Sequence, residues 1–301
     1  MGIKSVALFF LKILFTVFII WIVFSYFNID ELNWRDISPA AIFYCFALWF
    51  ANIGTQLLRW HFLLRAANSE VKLGITVRSF FGSATLGLFT PGRIGELGRA
   101  LFIQNISWKK VSFLAIIERF FTLLSLLFWA GIAAVFLDSK SQIFRDYFPD
   151  STYIILAVFV LIFALILLMK MNPKLTEKLH FYFSKSRSLL KIKSVLVLLS
   201  ISLLFVAIFI IQTAIILNSL TDISFVSALS VAALVHFFKS ILPFTIGDLG
   251  TREGIAAALM QHVAANPDAG VLAALVIFFI NVVLPAVIGI PFIFKMKLLK
   301  K

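Results

Sequence analysis

Pro91-Gly92-Arg93-Ile94-Gly95-Glu96-Leu97-Gly98-Arg99 is answered by Pro243-Phe244-Thr245-Ile246-Gly247-Asp248-Leu249-Gly250-Thr251-Arg252. Both copies run Pro, three residues, Gly, an acid, Leu, Gly and then an Arg. From Pro91 to Pro243 the offset is 152, about half of the 301 residues. A charged, glycine-rich turn that recurs at the same place in each half of an apolar chain reads as a transport site built from a duplicated unit.

The surrounding composition places that turn in a membrane. Apolar residues make up 61% of the chain, charged residues 14%, and Phe fills 35 positions. Mean hydropathy is +1.04. A soluble domain carries about a quarter charged residues, so that class is excluded. The net charge of +13 is gathered in short stretches between apolar runs. That spacing points to topology and anionic headgroups rather than nucleic acid. Cys45 is the single cysteine and lies in an apolar run, so neither a disulfide framework nor a thiol metal site is expected. Residues 1–28 are apolar over about 23 positions without a small-residue cleavage pattern, and read as a retained span.

Six spans are expected, at 5–27, 39–66, 111–137, 152–171, 194–218 and 270–295. Two further apolar segments, 74–103 and 225–262, are broken by the turns into arms of about 12 to 17 residues. Such arms are too short to cross, so each segment reads as a re-entrant hairpin, its unwound tip sheltered by protein or a watery cavity. The acidic loop around Asp30, Glu31 and Asp36 contrasts with the basic stretch Lys170–Lys193, with Lys109 and Lys110, and with the tail Lys295–Lys301. All basic stretches fall on one side of a six-span plan, which puts both termini in the cytoplasm. The repeats are 1–145 and 146–301, each with three spans and one hairpin. Three crossings per half invert the second half, so the hairpins enter from opposite faces and their tips meet near the midplane. The expected fold is therefore an all-α polytopic membrane protein forming a single membrane domain.

Charges at such depth are candidates for function. In the first tip Arg93, Glu96 and Arg99 recur every third residue along one face of the second arm, which leaves an alternative in which they only neutralise one another. Gly92, Gly95 and Gly98 allow close approach of a ligand or of the other hairpin, and the arm's N-terminus offers N–H groups suited to phosphate. The second tip offers Asp248, Arg252 and Glu253, with His236 and Lys239 on the preceding arm and Gly247 and Gly250 in the turn. Thr245 and Asp248 have capping-box spacing, the plainer explanation for both. Asn52, Gln56 and Arg59 share a face of the second span, either lining the cavity or letting Arg59 snorkel to the surface. Glu118 and Arg119 lie inside the third span on different faces and are expected to take separate partners rather than one ligand. The four histidines show no metal spacing or triad pattern, no Walker loop is present, and no cofactor is expected.

Thr90-Pro91-Gly92-Arg93-Ile94-Gly95-Glu96, Glu118-Arg119, and Leu242-Pro243 through Gly254 resemble the lysylphosphatidylglycerol synthase transmembrane family. This is the flippase-like module of bacterial multiple peptide resistance factors, also found as stand-alone proteins. In the resistance factors the module is linked to moving aminoacylated phosphatidylglycerol, and a separate cytoplasmic domain makes that lipid. Other relatives act beside glycosyltransferases that use polyprenyl-phosphate sugars. The family's second motif usually has two adjacent glycines before Leu-Gly; here the second is Asp248. The synthase domain is absent from this sequence.

The resemblance and the residues together imply a bacterial inner-membrane lipid translocase, not an enzyme. Arg93, Arg99 and Arg252 would contact a headgroup phosphate. Glu96, Asp248 and Glu253 would balance them or take a cationic headgroup or a proton. Candidate partners are phospholipids or polyprenyl phosphates, a second copy of the chain, and cell-envelope biosynthetic enzymes. Two rivals are an integral-membrane enzyme or glycosyltransferase partner acting on lipid-linked sugars, and a scaffold that binds anionic lipid through its basic loops.

Overall fold

The computed structural model describes residues 36–90, 92–104, 106–138, 192–241, 245 and 248–294. The spans expected at 5–27 and 152–171, the turn residues Pro91, Pro243 and Gly247, and the basic stretch Lys170–Lys193 lie outside the described residues. Among those described there is helix and turn but no strand. Helix α1 covers Pro39–Ala67, α2 Leu73–Leu88, a 3₁₀ helix Ile94–Phe102, and α3 Trp108–Asp138. Helix α4 covers Ile192–Leu220, α5 Phe225–Ile241, α6 Thr251–His262, α7 Pro267–Phe278 and α8 Leu284–Ile293. Four segments are long and apolar enough to cross a membrane: α1, α3 from Trp108 to Phe136, α4, and the run Pro267–Ile293 through α7 and α8.

The order of elements in the first half recurs in the second. Helices α1 and α4 each have 29 residues, and the shorter α2 and α5 begin 152 residues apart. One expectation needs correction. The second arm of the first hairpin is a nine-residue 3₁₀ helix, whereas its counterpart α6 is a 12-residue α-helix. Glycines at 95 and 98 weaken the α form there, and the tighter winding brings the chain down onto α2. A Cβ on Gly95 would collide with the Leu86 carbonyl, while its N–H donates to Thr90 Oγ1 at 2.7 Å.

The two halves are interleaved. Helix α1 packs on α4, α5 packs on α3 and α4, and α2 packs on α8. The last contact is close because Gly289 stands against the Phe81 carbonyl, with Thr85 Oγ1 donating to Ala286 O at 2.6 Å. The long last segment is not uniform: a π turn at Phe279–Val283 precedes Pro285. Proline cannot donate to the carbonyl four residues back and crowds it, and a π turn absorbs that mismatch. The turn also carries Asn281, whose Nδ2 donates to Gln212 Oε1 at 3.1 Å; Gln212 Nε2 in turn donates to Cys45 O at 2.8 Å. One polar chain thus ties α7–α8, α4 and α1 together inside an apolar body.

Replacing Gly289 with Ala puts a methyl where the α2 backbone lies. We expect a loss of about 1–3 kcal/mol, read as a lowered melting temperature of the detergent-solubilised protein, while Gly131→Ala, inside α3 where a Cβ would meet nothing within 4 Å, does not lower it.

Candidate functional site

Between the first hairpin, α1, α3, α4 and α5 lies a cavity of about 260 Å³. Its wall includes Gln56, Arg59, Arg93, Glu96, Arg99, Glu118, Arg119, Thr122, Phe205, Phe209, His236, Lys239, Asp248 and Asn281. Five cations therefore face three carboxylates. The 3₁₀ winding brings two of them together: with three residues per turn, positions 96 and 99 lie on one edge. Arg93 is not in the helix but caps it, with φ 54° in the left-handed region.

Glu118 organises the floor of the site. Arg59 Nη2 and Nε both approach Glu118 Oε1 at 3.1 Å, and Arg99 Nη1 pairs with Glu118 Oε2. All three side chains are buried, Arg59 and Glu118 at 4% exposure and Arg99 at 5%. Arg59 Nη1 also donates to Thr122 Oγ1 and Ser202 Oγ, each at 3.0 Å. Arg99 lies over the Trp60 ring at 4.4 Å and Arg59 over Phe205 at 4.9 Å. Cations so paired, hydrogen-bonded and stacked are affordable away from water. Arg59 thus points into the protein rather than snorkelling. Asn52, on the same face, is fully buried off the cavity wall, accepts from Gln56 Nε2 at 2.7 Å, and leaves Gln56 on the wall.

Glu96 holds the outer part of the first tip. It pairs with Arg93, and Arg119 Nη2 stands 3.6 Å from its Oε2. Arg119 also donates to the carbonyls of Arg93 at 2.7 Å and Gly92 at 3.2 Å, clamping the turn to α3. Glu118 and Arg119 do take separate partners, as their adjacency predicts, yet both reach the same cavity. The bland alternative holds for Arg93 and Glu96, which pair, but not for Arg99, which turns to Glu118.

The tips touch. Gly92 N–H donates to the Thr245 carbonyl at 3.1 Å, a backbone bond from the first hairpin to the second. Asp248 lies on the cavity wall with Lys239 Nζ 3.9 Å from its Oδ2, an ion-pair distance longer than a hydrogen bond. Lys239 also lies 5.5 Å from the centre of the Phe209 ring. The Asp248 backbone has φ 63°. A glycine would meet that left-handed geometry without strain, and Asp is among the few other residues that tolerate it.

Two readings of the second tip change. Helix α6 is capped not by Thr245 and Asp248 but at Gly250, whose N–H donates to Glu253 Oε2 at 2.7 Å. Thr245 Oγ1 instead meets Thr251 Oγ1 at 3.1 Å. Arg252 and Glu253 pair with each other at 1% and 2% exposure, with Arg252 4.8 Å from the Phe278 ring centre, and neither is on the cavity wall. Arg252 lies behind the cavity as a packing charge. Among the described residues no group of His, Cys, Asp or Glu is arranged to hold a metal ion.

Asn281, Gln212, Thr122 and Phe209 contribute without having been singled out in the sequence. Asn281 and Gln212 were detectable as lone amides in very apolar spans. Thr122 and Phe209 carry no such signal. His236 shares the wall: its Nε2 is hydrogen-bonded to Thr213 Oγ1 at 2.8 Å, leaving Nδ1 without a partner among the described residues.

An apolar multi-helix body with a charge-lined interior cavity defines an α-helical membrane protein. The sequence profile of the lysylphosphatidylglycerol synthase transmembrane region matches residues 9–289, and the chain belongs to that family. No curated protein matches it.

Removing the shared carboxylate strands two buried guanidinium groups. Glu118→Ala is expected to destabilise the protein by about 3–5 kcal/mol, measured by thermal unfolding. Adding Arg99→Met and Arg59→Met to Glu118→Ala recovers part of that loss.

Proposed function

We propose that the protein is a flippase-like lipid translocase of a bacterial inner membrane, working by alternating access between two inverted halves. The observation that carries this reading is the meeting of two charged turns, Gly92 N–H to Thr245 O at 3.1 Å, beside a cavity with more cations than carboxylates. Support for the duplicated plan comes from the matched element order and from interleaving: each hairpin's first arm leans on the final span of the other half. On this reading α2 with the 3₁₀ helix, and α5 with α6, are re-entrant hairpins that enter from opposite faces. Both termini lie in the cytoplasm, on the side of the basic stretches.

The headgroup enters between the tips, where Arg93, Arg119 and Lys239 meet it. Arg59, Glu118 and Arg99 form a fixed floor. Arg252 and Glu253 hold α6 in place rather than touching the lipid. On this reading the role of the carboxylates is charge balance, since Glu96, Glu118 and Asp248 each stand next to a cation.

The test is reconstitution of the full chain into liposomes with tail-labelled phospholipids, following the loss of fluorescence to a membrane-impermeant quencher. Arg93→Ala and Lys239→Ala are each expected to slow lipid movement about ten-fold or more, the loss of one charge-assisted contact. Replacing the lysines between Lys170 and Lys193 with glutamine leaves the rate within about two-fold, because those lysines take no part in the proposed headgroup site. Unchanged movement in Arg93→Ala and Lys239→Ala refutes this assignment of roles. A wild-type chain that binds anionic vesicles but moves no lipid, with that binding lost in the lysine-to-glutamine variant, favours a scaffold.

A further inference from the structure

We propose that the cavity selects a phosphate monoester headgroup, such as phosphatidic acid or a polyprenyl monophosphate, over phosphodiester and aminoacylated headgroups. The inference rests on the translocation reading and concerns which lipid that site takes. Its basis is the charge of the wall. Arg59, Arg93, Arg99, Arg119 and Lys239 stand against Glu96, Glu118 and Asp248, leaving an excess of two positive charges.

A charged cavity set in an apolar body favours a ligand whose charge cancels its own, because any remainder is costly. A phosphate monoester carries about −1.5 to −2 near neutral pH and nearly cancels the excess. A phosphodiester such as phosphatidylglycerol carries one negative charge and leaves one positive charge over. Lysyl-phosphatidylglycerol adds two ammonium groups to that phosphodiester and increases the excess.

The donors point the same way. Two cavity arginines, Arg93 and Arg99, keep a buried Nε without a partner among the described residues. Arg99 is itself 5% exposed and Lys239 9% exposed. Lys239 holds Asp248 only at 3.9 Å, against a much closer contact for every other pair on the wall except Arg119 and Glu96. The loosely paired cation is therefore Lys239, left to meet a ligand's terminal oxygens, whereas Arg119 is held by the carbonyls of Gly92 and Arg93. A monoester offers three such oxygens and a diester two. Asp248 sets the size of the excess, because a glycine at this position would raise it by one.

The test uses the full chain in phosphatidylcholine vesicles with trace tail-labelled phosphatidic acid, phosphatidylglycerol or lysyl-phosphatidylglycerol. Phosphatidic acid is expected to move about ten-fold faster than phosphatidylglycerol, and lysyl-phosphatidylglycerol slowest. Lys239→Met brings the first ratio towards one. Asp248→Asn, which keeps a residue tolerant of the left-handed turn, widens it. Unlabelled polyprenyl monophosphate competes with phosphatidic acid.

Equal or faster movement of phosphatidylglycerol, or fastest movement of the lysyl lipid, overturns the selection and leaves translocation standing. No movement of any lipid overturns translocation instead. The selection is then decided by mass spectrometry of lipids retained on the purified wild-type chain, which also serves if the variants do not fold. Enrichment of phosphatidic acid over phosphatidylglycerol supports it, and no enrichment overturns it. Displacement of retained phosphatidic acid by millimolar inorganic phosphate supports the monoester chemistry. Binding of inorganic phosphate with no lipid retained assigns the site to soluble phosphate and overturns the lipid.

Discussion

The carboxylate of Glu118, shared by Arg59 and Arg99, is the contact on which the rest of the structure depends. Three elements far apart in sequence supply it: the span α1, the 3₁₀ arm of the first hairpin and the span α3. A single charge at that depth is prohibitive, and a single pair barely recovers its desolvation. Two guanidinium groups on one carboxylate leave a net positive charge, spread over the rings of Trp60 and Phe205 and over the hydroxyls of Thr122 and Ser202. The arm carrying Arg99 is thereby fastened to the spans, and the arginine that precedes it is held at the cavity mouth.

Above that floor the site is built from backbone as much as from side chains. Arg93 and Asp248 both sit at positive φ, 54° and 63°. Such a conformation costs a non-glycine residue of order 1–3 kcal/mol, less for Asp, and persists only where surrounding contacts over-determine it. Arg119 supplies those contacts at the first tip by donating to two turn carbonyls, and the Gly92–Thr245 bond ties one turn to the other. Backbone N–H and C=O groups unwound inside an apolar body are thus satisfied by protein, as membrane folds require.

Much of the described fold was legible from hydropathy and from the repeated turn. Spans expected at 39–66, 111–137, 194–218 and 270–295 are found within about three residues at either end, because length and apolarity decide where a helix suits a bilayer. The break points of both hairpins were visible as Pro and Gly in apolar runs. What periodicity did not show was the 3₁₀ winding at Ile94–Phe102, or the π turn before Pro285. Both are local compromises with a neighbour: α2 in the first case, the proline ring in the second.

Sequence alone determined that the chain is an α-helical membrane protein, that two charged turns recur half a chain apart, and that Arg93, Glu96, Arg99, Asp248, Arg252 and Glu253 are the charges set at those turns. These are properties of composition and spacing, and hold whatever packs on what. Only the tertiary structure decided which charges face the cavity. It brought Arg59 and Lys239 to the wall, turned Arg252 and Glu253 away onto Phe278 and the α6 cap, and gave Glu118 two partners. Pairing between residues 59 and 118, or 239 and 248, depends on how helices from different parts of the chain rotate about their axes, and that rotation is set by packing at contacts such as Gly289 against α2.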